Sequence, residues 1–107
     1  MDKEMMKGSI DILLLSLIEQ RDLYGYEMTR IIKHLSDDTY EMSEGTLYAA
    51  LKRMERKAWI SSYWKDTDSG KRKYYHITKD GKVELQKKRD NWEWITDLIK
   101  RSSESLI

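Results

Sequence analysis

The stretch Gly45–Ile60, GTLYAALKRMERKAWI, decides the fold. Leu47, Leu51 and Met54 recur there at steps of four and three, so they share one face of a helix. The remaining surface of this helix is polar and basic, and it carries Thr46, Tyr48, Lys52, Arg53 and Arg56. A solvated surface helix explains this pattern, and so does a helix that binds an anion. The pattern alone leaves both interpretations open.

The positive charge of the chain is concentrated around this helix, although the net charge of the 107 residues is only +1. Residues 1–44 contain five Lys or Arg against ten Asp or Glu, and residues 45–79 contain nine against three. Residues 80–107 contain six of each. The middle third of the chain is therefore where we expect a polyanion to bind.

Composition excludes several other classes of protein. The chain has no cysteine, so it can form neither a disulfide nor a thiolate metal site. Its apolar run ILLLSLI, residues 12–18, is too short for a membrane span or a signal peptide, which predicts a cytoplasmic protein without a membrane partner. His34 and His76 have no partner at catalytic or metal-ligand spacing, so we expect no enzyme, no metal and no cofactor.

Two helices are predicted ahead of Gly45. Residues 9–20 have apolar side chains around most of the helix circumference, which indicates burial on most sides and cover from a second subunit. RDLYG is interpreted as a turn into a second helix over residues 24–35. A polar link then leads to the third helix, with Ser43 as its N-cap. Two short helices joined by a tight link predict a helix-turn-helix, with the third helix as the reading helix.

A β-hairpin is predicted after the reading helix. Residues 59–65 and 72–78 are rich in aromatic and β-branched residues, and DTDSGK between them forms a turn. Tyr74 and Tyr75 alternate across the second strand, so one is expected in the core and the other free for DNA. Thr78 can cap a final helix that starts near Lys79, where Gly81 weakens the first turn.

The final helix carries a heptad pattern. Steps of seven from Leu85 give Trp92, Ile99 and Leu106, and Ile95 lies at an intermediate position. The helix could fold back entirely onto its own subunit, but a small domain gains more burial from a helical dimer. Trp94 and Leu98 lie off the heptad positions and could pack against the body of the domain. For the dimer contact we predict Leu13, Leu85, Trp92, Ile95 and Ile99.

These elements predict a mainly α (α+β) winged helix-turn-helix over residues 1–78, followed by a C-terminal dimerisation helix over residues 79–107. Double-stranded DNA is the predicted partner, because the reading helix and the wing hold the concentrated positive charge. The predicted DNA contacts are Ser43, Thr46, Tyr48, Lys52, Arg53, Arg56, Lys71, Arg72 and Lys73. The alternative is a winged helix that binds a protein instead, whose reading face would be apolar. Four basic residues within residues 52–57 favour DNA.

The motifs YGYEMTRII, EGTLYAALKRME and ISSYWKDTDSGKRKYYHITKDGK, with the tryptophan-bearing last helix, resemble PadR-like transcriptional regulators. The resemblance runs from about residue 10 to residue 99, and it fits the small subfamily with a single C-terminal helix. It implies a homodimeric cytoplasmic regulator, usually a repressor, that binds a palindromic operator through paired winged helices. It also implies that the final helices and the first helix form the dimer.

The same resemblance implies an effector. PadR-like repressors are typically released from DNA by small aromatic compounds, and in the small subfamily such a compound can lie between tryptophans of the last helix. Trp92 matches that position, and an indole pair across a two-fold axis could stack a flat ligand. Asp90, Glu93 and Asp97 could then supply counter-charge to a cationic ligand. The alternative is that Trp92 only fills the dimer core.

Overall fold

Four helices and a three-stranded sheet make up the described part of the chain, which in this computed structural model is residue 6, residues 8–104 and residue 106. They are α1 (Ile10–Gln20), β1 (Leu23–Tyr24), α2 (Gly25–Leu35), α3 (Glu44–Arg56), β2 (Ile60–Thr67), β3 (Gly70–Ile77) and α4 (Lys79–Glu104). This is the predicted mainly helical winged helix-turn-helix with an added C-terminal helix. The strand β1 is not predicted from the sequence, because two residues are too few to show alternation.

Hydroxyl groups cap the two helices that were predicted to have them. The Ser43 hydroxyl accepts a hydrogen bond from the Thr46 amide at 3.1 Å, and Thr78 Oγ1 accepts one from the Gly81 amide at 3.0 Å. The reading helix α3 ends at Arg56, before the end of the stretch that defined it. Ala58 then takes a left-handed conformation, with φ of 61°, and turns the chain into β2.

The sheet has the strand order β1-β3-β2, and both pairs are antiparallel. Ile60, Tyr75 and Ile77 are buried on the face that packs against the helices. The prediction that one of the two adjacent tyrosines is a core residue is therefore confirmed for Tyr75. Burial, with a smaller effect of the Glu55 carboxylate, raises the pKa of the Tyr75 hydroxyl.

Tyr74 lies on the opposite face of the sheet, within a row of three tyrosines. Its ring centroid is 5.6 Å from that of Tyr24 on β1 and 5.8 Å from that of Tyr63 on β2. The expectation that this tyrosine is free for DNA is therefore wrong, because neighbouring rings flank it on both sides.

Asp22, directly before β1, forms hydrogen bonds with two residues on the same face of the sheet as Tyr74. Its carboxylate accepts hydrogen bonds from the Tyr63 hydroxyl at 2.6 Å and from His76 Nδ1 at 2.8 Å. Although partial burial acts in the opposite direction, these hydrogen bonds and the nearby His76 lower the pKa of Asp22. The same carboxylate raises the pKa of the Tyr63 hydroxyl, because it accepts that proton.

The helix α1 contributes more side chains to the core than any other element, and its Leu14, Leu15 and Ile18 are almost fully covered by the chain itself. Ile12 and Leu13 stay half-buried, so only a small part of α1 remains for a second subunit. Leu85 of α4 is 0% exposed within a single chain. Its predicted place in the dimer contact is therefore wrong, because it has no surface left to offer a partner.

The two halves of α4 have different surroundings. The first half packs on α1, where Arg89 donates hydrogen bonds to Glu19 at 3.2 Å and to Ser16 at 3.3 Å. From Asp90 to Glu104 every residue is exposed. Trp94 and Leu98 are among these, so the expectation that they pack against the body of the domain is wrong. A helix of 26 residues is about 39 Å long, and its second half extends beyond the body.

Candidate nucleic-acid interface

The reading helix α3 separates its apolar and polar sides. Leu47, Ala50, Leu51 and Met54 are buried against the core. The exposed residues around the rest of the helix include Lys52 and Arg56, together with Gly45 and Ala49, and Tyr48 lies at the edge of the buried side. Small residues between long basic ones leave room for a groove wall to approach the helix backbone. Within the described residues, neither Lys52 nor Arg56 forms an ion pair, so both cations remain available to an anion.

Ser43 and Thr46 lie together at the start of α3. The Ser43 hydroxyl accepts from the Thr46 amide and donates to Thr46 Oγ1 at 2.9 Å. Both roles of the Ser43 hydroxyl are thus used inside the helix cap. Thr46 is exposed beside it and keeps its own hydroxyl proton to donate.

Arg53 is directed away from the outward face of α3. Its guanidinium pairs with the carboxylate of Asp11 on α1 and is only partly exposed. The prediction that Arg53 lies on the outward face of the reading helix is therefore wrong. The residue instead ties the reading helix to α1.

The wing, defined as the β2–β3 hairpin, divides its three predicted cations between two faces. Lys71 and Lys73 lie on the face that continues from Tyr75 toward the tip, which we call the inner face. Arg72 lies on the outer face, and its guanidinium carbon is 4.5 Å from the Tyr24 ring centroid. The three residues therefore do not form one patch.

A groove of about 810 Å³ between α2 and α3 is not predicted from the sequence. Tyr26, Thr29 and Arg30 of α2 line one wall, and Tyr48 lies on the other. Arg30 and Lys33 follow Tyr26 at steps of four and seven, so the sequence places all three on one face of α2 and could have predicted this side of the groove. Glu41 pairs with Lys33 at 3.8 Å, so the positive charge here is partly neutralised.

The second half of α4 exposes an apolar strip, which we call the α4 seam: Trp92, Ile95 and Ile99. Trp92 and Ile95 also line a groove of about 240 Å³ with Ile12 of α1 and with Lys88. Asp90, Glu93 and Asp97 project from other sides of the helix, since Asp90 bonds to Gln86 and Asp97 to Arg101. Among the described residues that line the groove, Lys88 is the charged one, and the counter-charge expected from Asp90, Glu93 and Asp97 stays a prediction.

Two kinds of site are absent from the residues that the structure describes. No three His, Cys, Asp or Glu side chains in this part converge where they could hold a metal ion. None of its helices is both long and apolar enough to cross a membrane.

Comparison with known proteins identifies the family. Residues 14–87 match the Transcriptional regulator PadR-like family. The structure of a transcriptional regulator from Clostridium thermocellum superposes with a TM-score of 0.85, at 33% identity over 92% of this chain and 97% of that one. A PadR family transcription regulator from Clostridium difficile gives 0.74, at 40% identity over 86% and 95% of the two chains.

A relative from Lysinibacillus sphaericus, described only as an uncharacterized protein, is 36% identical over 96% of this chain and 95% of its own length. The family match covers more than half of the chain, and these identities extend along nearly all of it. Members of the matched family are DNA-binding transcriptional regulators and not enzymes. The chain described here belongs to the PadR-like family of transcriptional regulators.

Proposed function

We propose that this protein is a cytoplasmic repressor that binds a pseudo-palindromic operator as a homodimer and is released from it by a small aromatic ligand. The observation that carries the proposal is the basic surface on α3 and on the inner face of the wing, which is exposed except at the half-buried Lys73. Lys52 and Arg56 supply it from the helix, and Lys71 and Lys73 from the wing. Phosphates flank the major groove on both sides, so such a surface suits a helix seated in that groove.

The proposed contacts are Thr46, Tyr48, Lys52, Arg56, Lys71 and Lys73. Ser43 contributes to DNA binding indirectly: its hydroxyl bonds to Thr46 in the helix cap and so positions the Thr46 side chain. Arg53 and Arg72 contribute less, since one pairs with Asp11 and the other stacks on Tyr24. Two such surfaces, set about 34 Å apart by a two-fold axis, match one turn of DNA.

The α4 seam supports the homodimer. The first half of α4 uses the same helix face to pack on its own body, at Gly81 and Leu85. The second half continues that face as Trp92, Ile95 and Ile99, which are 51%, 41% and 60% exposed. A second α4, with the half-buried Ile12 and Leu13 of α1, is the surface that would complete this burial.

The groove at Trp92 supports an effector site between the two subunits. Its indole is half exposed, which leaves ring surface for a flat ligand to stack on. Of the described residues that line the groove, Lys88 is the charged one, so an aromatic acid fits this charge better than an aromatic cation. A ligand that spreads or tilts the two α4 helices would change the spacing of the reading helices. A coupling of about 1–3 kcal/mol is enough to switch occupancy of an operator.

Removing the two inner-face lysines is expected to reduce both affinity for DNA and its salt dependence. The slope of log K against log salt falls by about one for each phosphate that the protein no longer neutralises. We would measure fluorescence anisotropy of duplex DNA from upstream of the gene, with a shuffled duplex for comparison. Lys71→Ala with Lys73→Ala should lower the slope by about two per subunit, whereas Lys65→Ala on the outer face should leave it unchanged.

Equal weak binding of both duplexes by the wild type would place the operator elsewhere and contradict recognition of this gene's own upstream region. No binding at low salt would contradict the DNA interface itself and favour a protein partner.

Replacing Trp92 by Ala is expected to abolish binding of an aromatic acid. Isothermal titration calorimetry with 2-naphthoate, and with the cation 2-naphthylmethylammonium, tests both the site and its charge preference. Trp94→Ala is the matched control, because Trp94 is exposed on the same helix but does not line the groove. Equal heats for the wild type and the Trp92 variant would contradict the effector site, and tighter binding of the cation would contradict the role of Lys88.

A further inference from the structure

We propose that Trp64 of the wing contacts the DNA strand that runs between the reading helix and the wing. This inference rests on the proposed function and adds an aromatic residue to a surface otherwise defined by its lysines. The indole packs against the sugar–phosphate backbone, where it adds affinity that does not depend on salt.

The register of the hairpin puts Trp64 on the inner face. Ile60 pairs with Ile77, Ser62 with Tyr75, and Trp64 with Lys73, so these pairs share one side of the hairpin. Ile60, Ile77 and Tyr75 on this side are buried in the core. Trp64 continues the same row toward the tip, and yet it is 66% exposed.

The cover provided by α3 ends one step before Trp64. Ser62 donates a hydrogen bond from its hydroxyl to Glu55 of α3 at 2.5 Å, which fixes β2 against the reading helix at that point. Two residues along a strand advance by about 7 Å, which takes Trp64 beyond this contact. A large aromatic side chain is therefore held beside the reading helix with most of its surface uncovered.

We use the word cleft for the space beside Trp64 between α3 and the inner face of the wing, beyond the contact of Ser62 with Glu55. Tyr48 packs on Gly25, where an added Cβ would lie 2.8 Å from the tyrosine oxygen. The Tyr48 hydroxyl is also close enough to the sheet to contribute to the raised pKa of Tyr75. Tyr48 and Glu55 are two helical turns apart and so point to the same side of α3, toward the sheet. Lys52 lies between them in sequence, four residues after Tyr48, and is exposed. The side of α3 that faces the sheet therefore carries Tyr48 and Glu55, with the exposed Lys52 next to them.

Charge favours a polyanion as the occupant, because Lys52, Lys71 and Lys73 outnumber Asp66, the exposed carboxylate on the inner face of the wing. Lys73 is the cross-strand partner of Trp64, and its Nζ lies 5.8 Å from the Tyr75 ring centroid on the same face. Lysines on both walls suit phosphates, while the face of the indole suits the apolar side of a deoxyribose. The indole N–H can only donate, and phosphate oxygens can only accept. Nucleic acid backbone offers both features at once.

Trp64→Ala and Trp64→Phe test the inference in the same anisotropy assay with the upstream duplex. We expect Trp64→Ala to weaken binding about tenfold at every salt concentration, with the slope of log K against log salt unchanged. Trp64→Phe should keep most of the affinity, because it retains an aromatic face. Lys73→Ala should instead lower the slope by about one per subunit. Circular dichroism and thermal melting confirm that each variant is folded.

Trp64→Ala that binds as tightly as the wild type would overturn the inference while leaving the proposed function intact. A slope reduced by Trp64→Ala would also overturn it, because the residue would then act by placing Lys73. A wild-type protein without preference for the upstream duplex would instead count against the proposed function.

Discussion

Gly81→Ala is expected to lower the free energy of unfolding by about 3 kcal/mol, and the melting temperature by more than about 10 °C. A Cβ at this position would lie 1.9 Å from the carbonyl oxygen of Trp59 and 2.8 Å from Cγ1 of Ile77. The carbonyl cannot move away easily, because it accepts a hydrogen bond from the Thr78 amide at 3.0 Å, and the Thr78 hydroxyl donates to the preceding carbonyl, that of Ala58, at 2.6 Å. Differential scanning calorimetry at a fixed protein concentration measures the loss.

Gly45→Ala is the matched control for this prediction. Gly45 also lies in the first turn of a helix, but nothing is within 4 Å of its added Cβ. Alanine has the higher helix propensity by up to about 1 kcal/mol, so this variant should be as stable as the wild type or slightly more so. If both variants gained stability, helix propensity would dominate at Gly81 and the close approach of Trp59 would be refuted.

Features fixed by neighbouring residues could be predicted from the sequence. A Ser or Thr directly before a helical pattern can cap the helix by local geometry, and the caps at Ser43 and Thr78 are both present. The buried side of α3 follows in the same way from the spacing of Leu47, Leu51 and Met54. Both features need only local geometry.

Features fixed by distant residues could not be predicted in this way. Arg53 and Asp11 are separated by 42 positions, and nothing near Arg53 in the sequence indicates that its guanidinium turns toward α1. Leu85 fits a heptad position equally well whether its partner is another subunit or α1, and its burial decides for the second. Helix propensity alone predicts only a weak first turn at Gly81, whereas the carbonyl of Trp59 explains why a glycine is there.

The division of the wing cations lies between these cases. Strand alternation, read from the sequence, already separates Arg72 from Lys71 and Lys73. Alternation does not show which face of the hairpin lies on the same side as the reading helix. The hydrogen bond between Ser62 and Glu55 supplies that information, and it also places Trp64 beside the reading helix.

Ile99→Asp is expected to convert the proposed homodimer into a monomer at micromolar concentration. Ile99 is 60% exposed on the α4 seam, where a two-fold axis would bring two aspartates into one apolar contact. Charges buried without partners cost several kcal/mol, so the dimer dissociation constant should rise by about 100-fold or more. A monomer reaches only one half-site, so affinity for the operator should fall steeply and the salt slope should fall by about half. Analytical ultracentrifugation and anisotropy measure the two effects.

Val83→Asp is the control, because Val83 is 59% exposed on the same helix and the change in charge is identical. It lies about half a turn away from the seam, so the dimer and its operator binding should be kept. If Ile99→Asp stays dimeric, the α4 seam is not the contact between subunits. If the variant becomes monomeric and still binds the operator with the wild-type salt slope, each winged helix binds DNA alone. A dimer that contacts both half-sites neutralises more phosphates than a monomer does, so loss of one subunit would have to reduce the slope.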